Sequence, residues 1–225
     1  MNVFDIIGPI MVGPSSSHTA GAVGIGRVAR ALLAEEPINA LISLHGSFAK
    51  THRGHGTDRA IISGIMGMEM DDIRIPKSFD IAREKGLKYR FKFVDLGDVH
   101  PNTAFVELEG ESGKRVNLLA SSIGGGRISI QRINGMEVDF RGTGNILVVF
   151  HIDMPGAIAS VTSILGSYNI NIGEMKVFRS KRGGKAIMVI DVDEWPKYDV
   201  IESIKMLENI EEVEMIPPLM GRGFD

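Results

Sequence analysis

The sequence has 225 residues, of which 44% are hydrophobic and 24% charged, as is typical of a globular protein with one large or two modest domains. Its formal net charge of -3 disfavours nucleic acid and membrane surfaces as partners, because both attract an excess of basic residues. The absence of cysteine excludes disulfides, thiolate nucleophiles and iron–sulfur ligation by this chain itself. The N-terminal residues Met1 to Asp5 lack the features of a signal peptide, and no apolar run approaches the roughly 20 residues of a membrane span, so we expect a cytoplasmic protein.

A hydroxyl-rich segment follows the turn at Gly13-Pro14, and it consists of Ser15, Ser16, Ser17, His18 and Thr19. Apolar residues at helical spacing then predict a helix from about Ala20 to Glu36, which stops near Pro37. The unpaired N–H groups at a helix start favour an anion, so we expect Ser17 or Thr19 to cap this helix while the other hydroxyls face a small carboxylate. One cap needs one hydroxyl, and the surplus favours a ligand site over a purely structural role.

A second polar segment repeats this arrangement. A strand at Ala40–His45 is predicted to lead into a loop at Gly46–Asp58, which contains His52 and His55. The loop ends in Thr57-Asp58 before an apolar helix, and these two residues have the character of a cap.

The rest of the first domain is predicted to contain a helix at Ser78–Lys85, a strand at Lys88–Val94, and two hairpins, Thr103–Glu109 with Lys114–Ser121 and Arg127–Ile133 with Met136–Phe140. His100-Pro101-Asn102 precedes the first hairpin. Gly124, Gly125 and Gly126 lie between the hairpins, where glycine allows either a bulge or a close approach of N–H groups to a ligand. On its own, the triple glycine favours the bulge.

The Gly-rich segment Arg141–Gly144 predicts a domain boundary. Beyond it the pattern predicts a strand at Asn145–Ile152, a helix that opens at Pro155, strands at Ile170–Arg179 and Ala186–Val192, a helix at Tyr198–Glu208 and a strand at Val213–Ile216. This order, βαββαβ, is the split ferredoxin-like unit. We therefore predict an α+β protein with a mixed α/β domain at residues 1–140 and a ferredoxin-like domain at residues 145–219.

Four motifs carry a resemblance to the iron–sulfur-dependent bacterial L-serine dehydratases, where they occur in the same order: Gly13–Thr19, Gly46–Asp58, His100–Asn102 and Ser122–Gly126. The two-chain type of that family has an alpha chain with the cluster cysteines and a beta chain that ends in an ACT domain. This sequence resembles that beta chain over essentially its full length. The first domain also resembles the allosteric substrate-binding domain of some phosphoglycerate dehydrogenases.

The resemblance implies a lyase subunit that converts L-serine to pyruvate and ammonia together with an alpha chain, which would ligate a [4Fe-4S] cluster. It implies the catalytic candidates His18, His55 and His100, with Asn102 as a hydrogen-bond partner. It implies the substrate-binding candidates Ser15, Ser16, Ser17, Thr19, Thr57, Asp58, Gly124, Gly125 and Gly126. Histidine suits general base catalysis because its unperturbed pKa lies near working pH, and the sequence leaves open which histidine takes the proton.

One departure from the family lies in the second motif. The family usually has Thr-Gly-Lys-Gly-His, whereas this sequence has Thr51-His52-Arg53-Gly54-His55. Arginine keeps the charge of lysine but not its geometry, so no role of the lysine is carried over to Arg53.

The resemblance of the second domain to ACT domains implies side-by-side pairing and an amino-acid site at the turn between its first strand and helix. The candidate ligand contacts are Asp153, Pro155, Gly156 and Ala157 of that turn, and Asn171. A dimerisation scaffold without a ligand stays open.

The main alternative function is a non-catalytic regulatory subunit that senses serine or another small carboxylate. A nucleotide phosphate loop at Gly13–Thr19 is disfavoured, because the segment lacks the Gly-Lys-Ser/Thr ending that supplies the phosphate-binding lysine and the magnesium-binding hydroxyl. The sequence leaves open the stoichiometry with the alpha chain and the choice between serine and threonine.

Overall fold

The computed structural model describes residues 10–219, so the N-terminal segment Met1 to Asp5 considered above lies outside the described residues. The described chain divides into two compact units, residues 10–142 with Leu219, and Thr143–Pro218. Within residues 10–219, no helix combines the length and the apolar character needed to cross a membrane.

The first unit contains a π-helical turn at Ser16–Ala20, α1 at Gly21–Leu33, β1 at Pro37–Leu44, α2 at Gly46–Thr51, α3 at Thr57–Ile65, a 3-10 turn at Ile75–Lys77, α4 at Ser78–Glu84, β2 at Lys88–Phe93, β3 at Thr103–Gly110, β4 at Arg115–Gly124, β5 at Arg127–Ile133 and β6 at Met136–Arg141. The six strands form one sheet in the order β2-β1-β3-β4-β5-β6. Only the β1–β2 pair among these strands is parallel. The two predicted hairpins are confirmed as β3–β4 and β5–β6.

Helix α1 packs against α3 and against the sheet at β3, β4 and β5. The crossing of α1 and α3 depends on two glycines. A Cβ atom at Gly64 would lie 2.1 Å from the carbonyl oxygen of Val23, and one at Gly26 would lie 2.3 Å from that of Ile61. The helix backbones are therefore in direct contact, with no room for a side chain at either glycine.

Arg27 is a buried cation on α1. Its guanidinium forms an ion pair with Glu69 at 2.5 Å and donates a hydrogen bond to the carbonyl oxygen of Leu219 at 3.1 Å. Burial lowers the pKa of Arg27, and the Glu69 carboxylate partly offsets this effect. The bond to Leu219 ties that residue to the first unit, although the sequence pattern places it at the end of the second domain.

The second unit contains β7 at Asn145–Ile152, α5 at Ala157–Ser167, β8 at Ile172–Arg179, β9 at Lys185–Val192, α6 at Tyr198–Lys205 and β10 at Ile210–Ile216. Its strands pair antiparallel in the order β10-β7-β9-β8. Leu147, Val161, Leu165 and Ile204 belong to its buried core. The predicted βαββαβ order and the α+β class are confirmed.

Several element boundaries differ from the prediction. Helix α1 ends at Leu33 rather than Glu36, because Ala34 adopts a left-handed conformation with φ of 58° and its N–H closes the helix on Arg30. The second polar segment is not one loop, since it opens with α2. There the N–H groups of Ser47 and Phe48 donate to the carbonyl oxygen of Pro101, and Phe48 is fully buried.

In the second unit, α6 ends at Lys205 instead of Glu208, and β10 begins at Ile210 instead of Val213. The triple glycine forms the turn between β4 and β5 with positive φ at all three residues, and the strand register shifts between Ser122 and Gly124. The register shift, a bulge or another irregularity, thus lies where the triple glycine begins, and the three glycines themselves form the turn.

Candidate functional site

The hydroxyl-rich segment folds as a π-helical turn directly before α1. The side-chain oxygen of Ser15 accepts a hydrogen bond from the His18 N–H at 3.1 Å, so Ser15 is the cap. The predicted cap by Ser17 or Thr19 is wrong, because the helical turn starts earlier than the sequence pattern indicates. Short π-helical turns are frequent at functional sites, and this one leaves the side chains of Ser17 and Thr19 for other contacts.

His18 lies between hydroxyl groups. Its Nδ1 is 3.2 Å from the Oγ of Ser17 and 3.5 Å from the Oγ of Ser15, and its Nε2 is 2.8 Å from the Oγ of Ser47. The ring also makes an edge contact with Phe48, with centroids 5.6 Å apart. The imidazole is thus held in one orientation by two separate chain segments.

His55 stacks beside His18, with ring centroids 4.8 Å apart and planes tilted by 33°. The carbonyl oxygen of His55 accepts a hydrogen bond from the Thr19 hydroxyl at 2.9 Å, which joins the two polar segments. Burial lowers the pKa of His18, and the charge of His55 lowers it further. Both effects favour the neutral form of His18.

Two buried hydroxyls beside these histidines lack a hydrogen-bond partner among the described residues, those of Thr57 and Ser122, as does the buried Nδ1 atom of His55. A Cβ atom at Gly21 would lie 2.0 Å from the Ser122 hydroxyl, so this hydroxyl lies against the start of α1. Buried polar atoms are almost always paired in folded proteins. These three unpaired atoms belong to the second and fourth sequence motifs, where a ligand could supply the missing partners.

The third motif adjoins the site through its backbone. The carbonyl oxygen of Asn102 accepts from the Ser122 N–H at 2.9 Å, and the Asn102 N–H donates to Nδ1 of His100 at 3.1 Å. The His100 side chain is exposed and makes no hydrogen bond or ring contact with His18 or His55 in residues 10–219. The structure therefore joins the Asn102 backbone to Ser122 and leaves the His100 ring exposed.

Two other predicted substrate-binding residues, Gly126 and Asp58, already have hydrogen-bond partners within the chain. The Gly126 N–H donates to the carbonyl oxygen of Ser16 at 3.2 Å, so this amide is already used and does not face a ligand. Asp58 accepts a hydrogen bond from the N–H of Arg59. The predicted cap of α3 by Thr57-Asp58 is wrong, because Gly56 holds that position in a left-handed conformation and no side chain caps the helix.

Sequence reasoning missed Ser47 and Ser122 as site residues. Both lie inside motifs that the sequence pattern had singled out. Ser47 is 29 positions from His18, and the local pattern contains no signal that pairs them.

The predicted ligand turn of the second unit has its own partners. The Asp153 carboxylate accepts hydrogen bonds from the Gly183 N–H and from Arg179, both at 3.1 Å, and these bonds lower the pKa of Asp153. Gly156 has φ of 89°, and α5 begins at the next residue, Ala157. A Cβ atom at Gly156 would meet nothing within 4 Å, whereas the Ala157 N–H already donates to the carbonyl oxygen of Met154 at 3.2 Å.

Asn171 lies at the other end of this sheet. It directly precedes β8, whose first residue pairs with Val192, whereas Asp153 follows the end of β7 that pairs with Lys185. Seven residues of strand separate the two ends, or roughly 23 Å. The Asn171 side chain donates to Asp193 at 2.7 Å. Within one chain the two predicted halves of the ACT site do not meet.

No group of three or more histidine, aspartate or glutamate side chains within residues 10–219 could hold a metal ion. The sequence contains no cysteine. The residues present therefore do not fit a [4Fe-4S] cluster as ligands, and any such cluster would have to be held by another chain.

Comparison with known proteins gives two family matches and several relatives. The family described as "Serine dehydratase beta chain" matches residues 2–132, and the family described as "ACT domain" matches residues 145–205. A "Probable L-serine dehydratase, beta chain" of Bacillus subtilis (strain 168) is 45% identical over 96% of this chain and 97% of its own length. An "L-serine dehydratase, beta chain" of Peptoniphilus asaccharolyticus is 40% identical over 85% and 87%, respectively.

A "D-3-phosphoglycerate dehydrogenase" of Methanocaldococcus jannaschii is 35% identical over 49% of this chain and 21% of its own length. That similarity covers only a part of each protein, whereas the two beta chains are matched nearly end to end. The chain therefore belongs to the serine dehydratase beta chain family and carries an ACT domain.

Proposed function

We propose that this chain is the beta subunit of a two-chain L-serine dehydratase, which converts L-serine to pyruvate and ammonia in the cytoplasm. Family membership supports this proposal, as do the names of the two relatives that match most of the chain. The observation that carries it is the His18–His55 pair, with ring centroids 4.8 Å apart among serine and threonine hydroxyls. A paired imidazole site of this kind offers a base and polar contacts for a small amino acid.

His55 is the general base in this proposal. Dehydration of serine removes the Cα proton and expels the β-hydroxyl, which leaves an aminoacrylate that water converts to pyruvate and ammonia. Both ring nitrogens of His18 lie within hydrogen-bond distance of serine hydroxyls, whereas the His55 ring makes no hydrogen bond in residues 10–219. Since Nδ1 of His55 is buried, Nε2 is the atom that can take the proton.

The substrate carboxylate and amine need fixed polar partners. The π-helical turn presents the hydroxyls of Ser15 and Ser17 beside the start of α1, where the helix dipole favours an anion. The unpaired hydroxyls of Thr57 and Ser122 supply further contacts. Asn102, Ser16 and Thr19 complete the proposed site mainly by holding these segments in place.

The partner in this proposal is a cysteine-bearing alpha chain. It would hold the [4Fe-4S] cluster, because the residues of the present chain do not fit that role. A cluster held there would supply Lewis-acid chemistry for the loss of the β-hydroxyl. The ACT domain would pair with a second copy, which would bring Asn171 of one copy toward the Asp153 turn of the other.

The first prediction concerns His55. In the reconstituted two-chain enzyme, His55→Ala should lower kcat at least 100-fold, because general base catalysis contributes about 10² to 10⁴ in rate. His52→Ala is the matched control, since His52 lies three residues away and contacts Phe93 and the carbonyl of Ala49 instead of His18. Its kcat should stay within about threefold of wild type, a barrier change under about 0.7 kcal/mol. A His55→Ala variant that also stays within threefold would contradict the assignment.

A second candidate function is a regulatory subunit that binds serine without taking part in catalysis. The partial similarity to a phosphoglycerate dehydrogenase favours it, because that relative is named for a different reaction. Pyruvate formation by each chain alone and by the mixture, prepared without oxygen, separates the two. Activity only in the mixture supports the dehydratase subunit, and full activity of the alpha chain alone supports the regulator.

A further inference from the structure

Ser47 occupies the first turn of α2, and its backbone is fixed on both sides. Its N–H donates to the carbonyl oxygen of Pro101 at 2.8 Å, and its carbonyl oxygen accepts from the Thr51 hydroxyl at 2.8 Å. The preceding Gly46 has φ of 54°, and a Cβ atom there would lie 2.7 Å from the Pro101 carbonyl oxygen. The Ser47 hydroxyl therefore projects from a backbone position with little freedom.

That hydroxyl faces one nitrogen of His18. The Ser47 Oγ lies 2.8 Å from Nε2, while the Oγ of Ser17 and the Oγ of Ser15 lie near Nδ1. Ser15 Oγ already accepts from the His18 N–H, so its own proton is free to donate. The hydroxyls at Nδ1 are able to donate to it, and in that arrangement the ring proton of neutral His18 lies on Nε2 with the Ser47 oxygen as its acceptor.

We propose that Ser47 is a positioning residue for His18: its hydroxyl oxygen accepts the Nε2 proton and holds the imidazole ring against His55. This inference rests on the proposed function only where turnover is concerned. Ser47 acts through His18 and takes no proton from substrate. Because Ser47 also bonds to Pro101, it links the first, second and third sequence motifs through one side chain and its backbone.

The hydrogen bond between Ser47 and His18 affects the tautomer and the protonation of the His18 ring. An acceptor at Nε2 stabilises both the Nε2–H tautomer and the protonated imidazole. Without it, His18 keeps the hydroxyls at Nδ1 and its ring contacts with Phe48 and His55, and no described hydroxyl fixes the proton at Nε2. Within residues 10–219, the titratable group that faces His18 is His55, at 4.8 Å between ring centroids.

The first test needs no turnover. Imidazole nitrogen chemical shifts of the full chain, measured by NMR across pH 4 to 9, report the tautomer and pKa of His18. We expect the Nε2–H tautomer in wild type, and in Ser47→Ala a lower pKa and a measurable share of the Nδ1–H tautomer. Ser63→Ala is the matched control, because it removes a buried serine hydroxyl that donates to the carbonyl oxygen of Ala60 and has no bond to Ser47 or His18. Identical His18 spectra for Ser47→Ala and wild type would overturn the proposal.

The second test measures serine turnover in the two-chain enzyme. Ser47→Ala should lower kcat about tenfold with KM within twofold, and Ser47→Thr should restore kcat to within threefold because it returns the hydroxyl. If Ser47→Ala does not fold, Ser47→Cys keeps the shape with a weaker acceptor and should show the same kcat loss. Unchanged kcat, or a Thr variant as slow as the Ala variant, would overturn the proposal. A wild-type mixture without turnover would refute the proposed function, while the NMR result would still decide the role of Ser47.

Discussion

The crossing of α1 and α3 is the packing feature whose perturbation should have the clearest effect on stability. A Cβ atom at Gly64 would lie 2.1 Å from the carbonyl oxygen of Val23 and 2.8 Å from the N atom of Arg27. Both obstacles are backbone atoms of a helix, so no side-chain rotation can relieve the clash. Gly64→Ala must therefore push the two helices apart by about 1 Å to reach an ordinary van der Waals distance.

The expected loss of stability is the difference between two free-energy contributions, the cost of overpacking and the gain in helix propensity. Overpacking a tight contact costs about 1 to 3 kcal/mol, and a rigid backbone obstacle argues for the upper end. Replacement of glycine by alanine inside a helix returns about 1 kcal/mol. The net change for Gly64→Ala is a free energy of unfolding lower by about 2 kcal/mol, or a Tm lower by about 6 °C for a chain of this size.

The assay is differential scanning calorimetry of the full chain, with Gly166→Ala as the control. Gly166 lies in α5, and a Cβ atom there would meet nothing within 4 Å. The control should leave Tm unchanged or raise it by a few degrees, because only the helix propensity term applies. A Gly64→Ala variant with the Tm of wild type or above would refute the close backbone contact.

Two further predictions concern single hydrogen-bonded or strained positions. Hydrogen bonds from Gly183 and Arg179 lower the pKa of Asp153 below 3.8, so the stability they add is present above that pH and is lost as the pH falls through the lowered pKa. Urea midpoints of wild type and Asp153→Asn should therefore differ at pH 6, and the difference should shrink as the pH falls through the lowered pKa of Asp153. A difference that does not depend on pH would count against these bonds as its source. At the β5–β6 turn, Gly135 has φ of 79°, a conformation that is strained for alanine. Gly135→Ala should therefore lower the free energy of unfolding by about 1 kcal/mol. An unchanged midpoint in urea denaturation would argue against strain at this turn.

The fold was largely predictable where the signal is local. The Asn134-Gly135 pair between alternating strands predicts a two-residue turn, and both residues have the positive φ that such a turn requires. Helix α2 was not predictable, because its polar sequence is typical of a loop. It forms because a distant carbonyl, that of Pro101, accepts two of its first N–H groups and because Phe48 is buried. A tertiary contact of this kind leaves no periodic trace in the sequence.

The candidate site was predictable as a set of motifs and not as a geometry. Residue types and motif order single out His18 and His55, but only the folded chain shows them 4.8 Å apart. The choice between them as base depends on hydrogen bonds, and the bond of His18 to Ser47 joins residues from different elements. The cap residue was misassigned for a related reason, since a π-helical turn and an α-helical start have the same composition.

The motif segments are joined mainly by bonds to backbone groups, and this explains why their side chains remain available. Backbone carbonyls accept in the Thr19–His55, Ser47–Pro101 and Ser122–Asn102 contacts, so the segments stay together without use of the His55 ring or the Ser122 hydroxyl. Each buried polar atom left unpaired costs about 1 to 3 kcal/mol. A ligand that pairs with them recovers that free energy on binding, so the same arrangement that weakens the free chain favours a small polar molecule in the site.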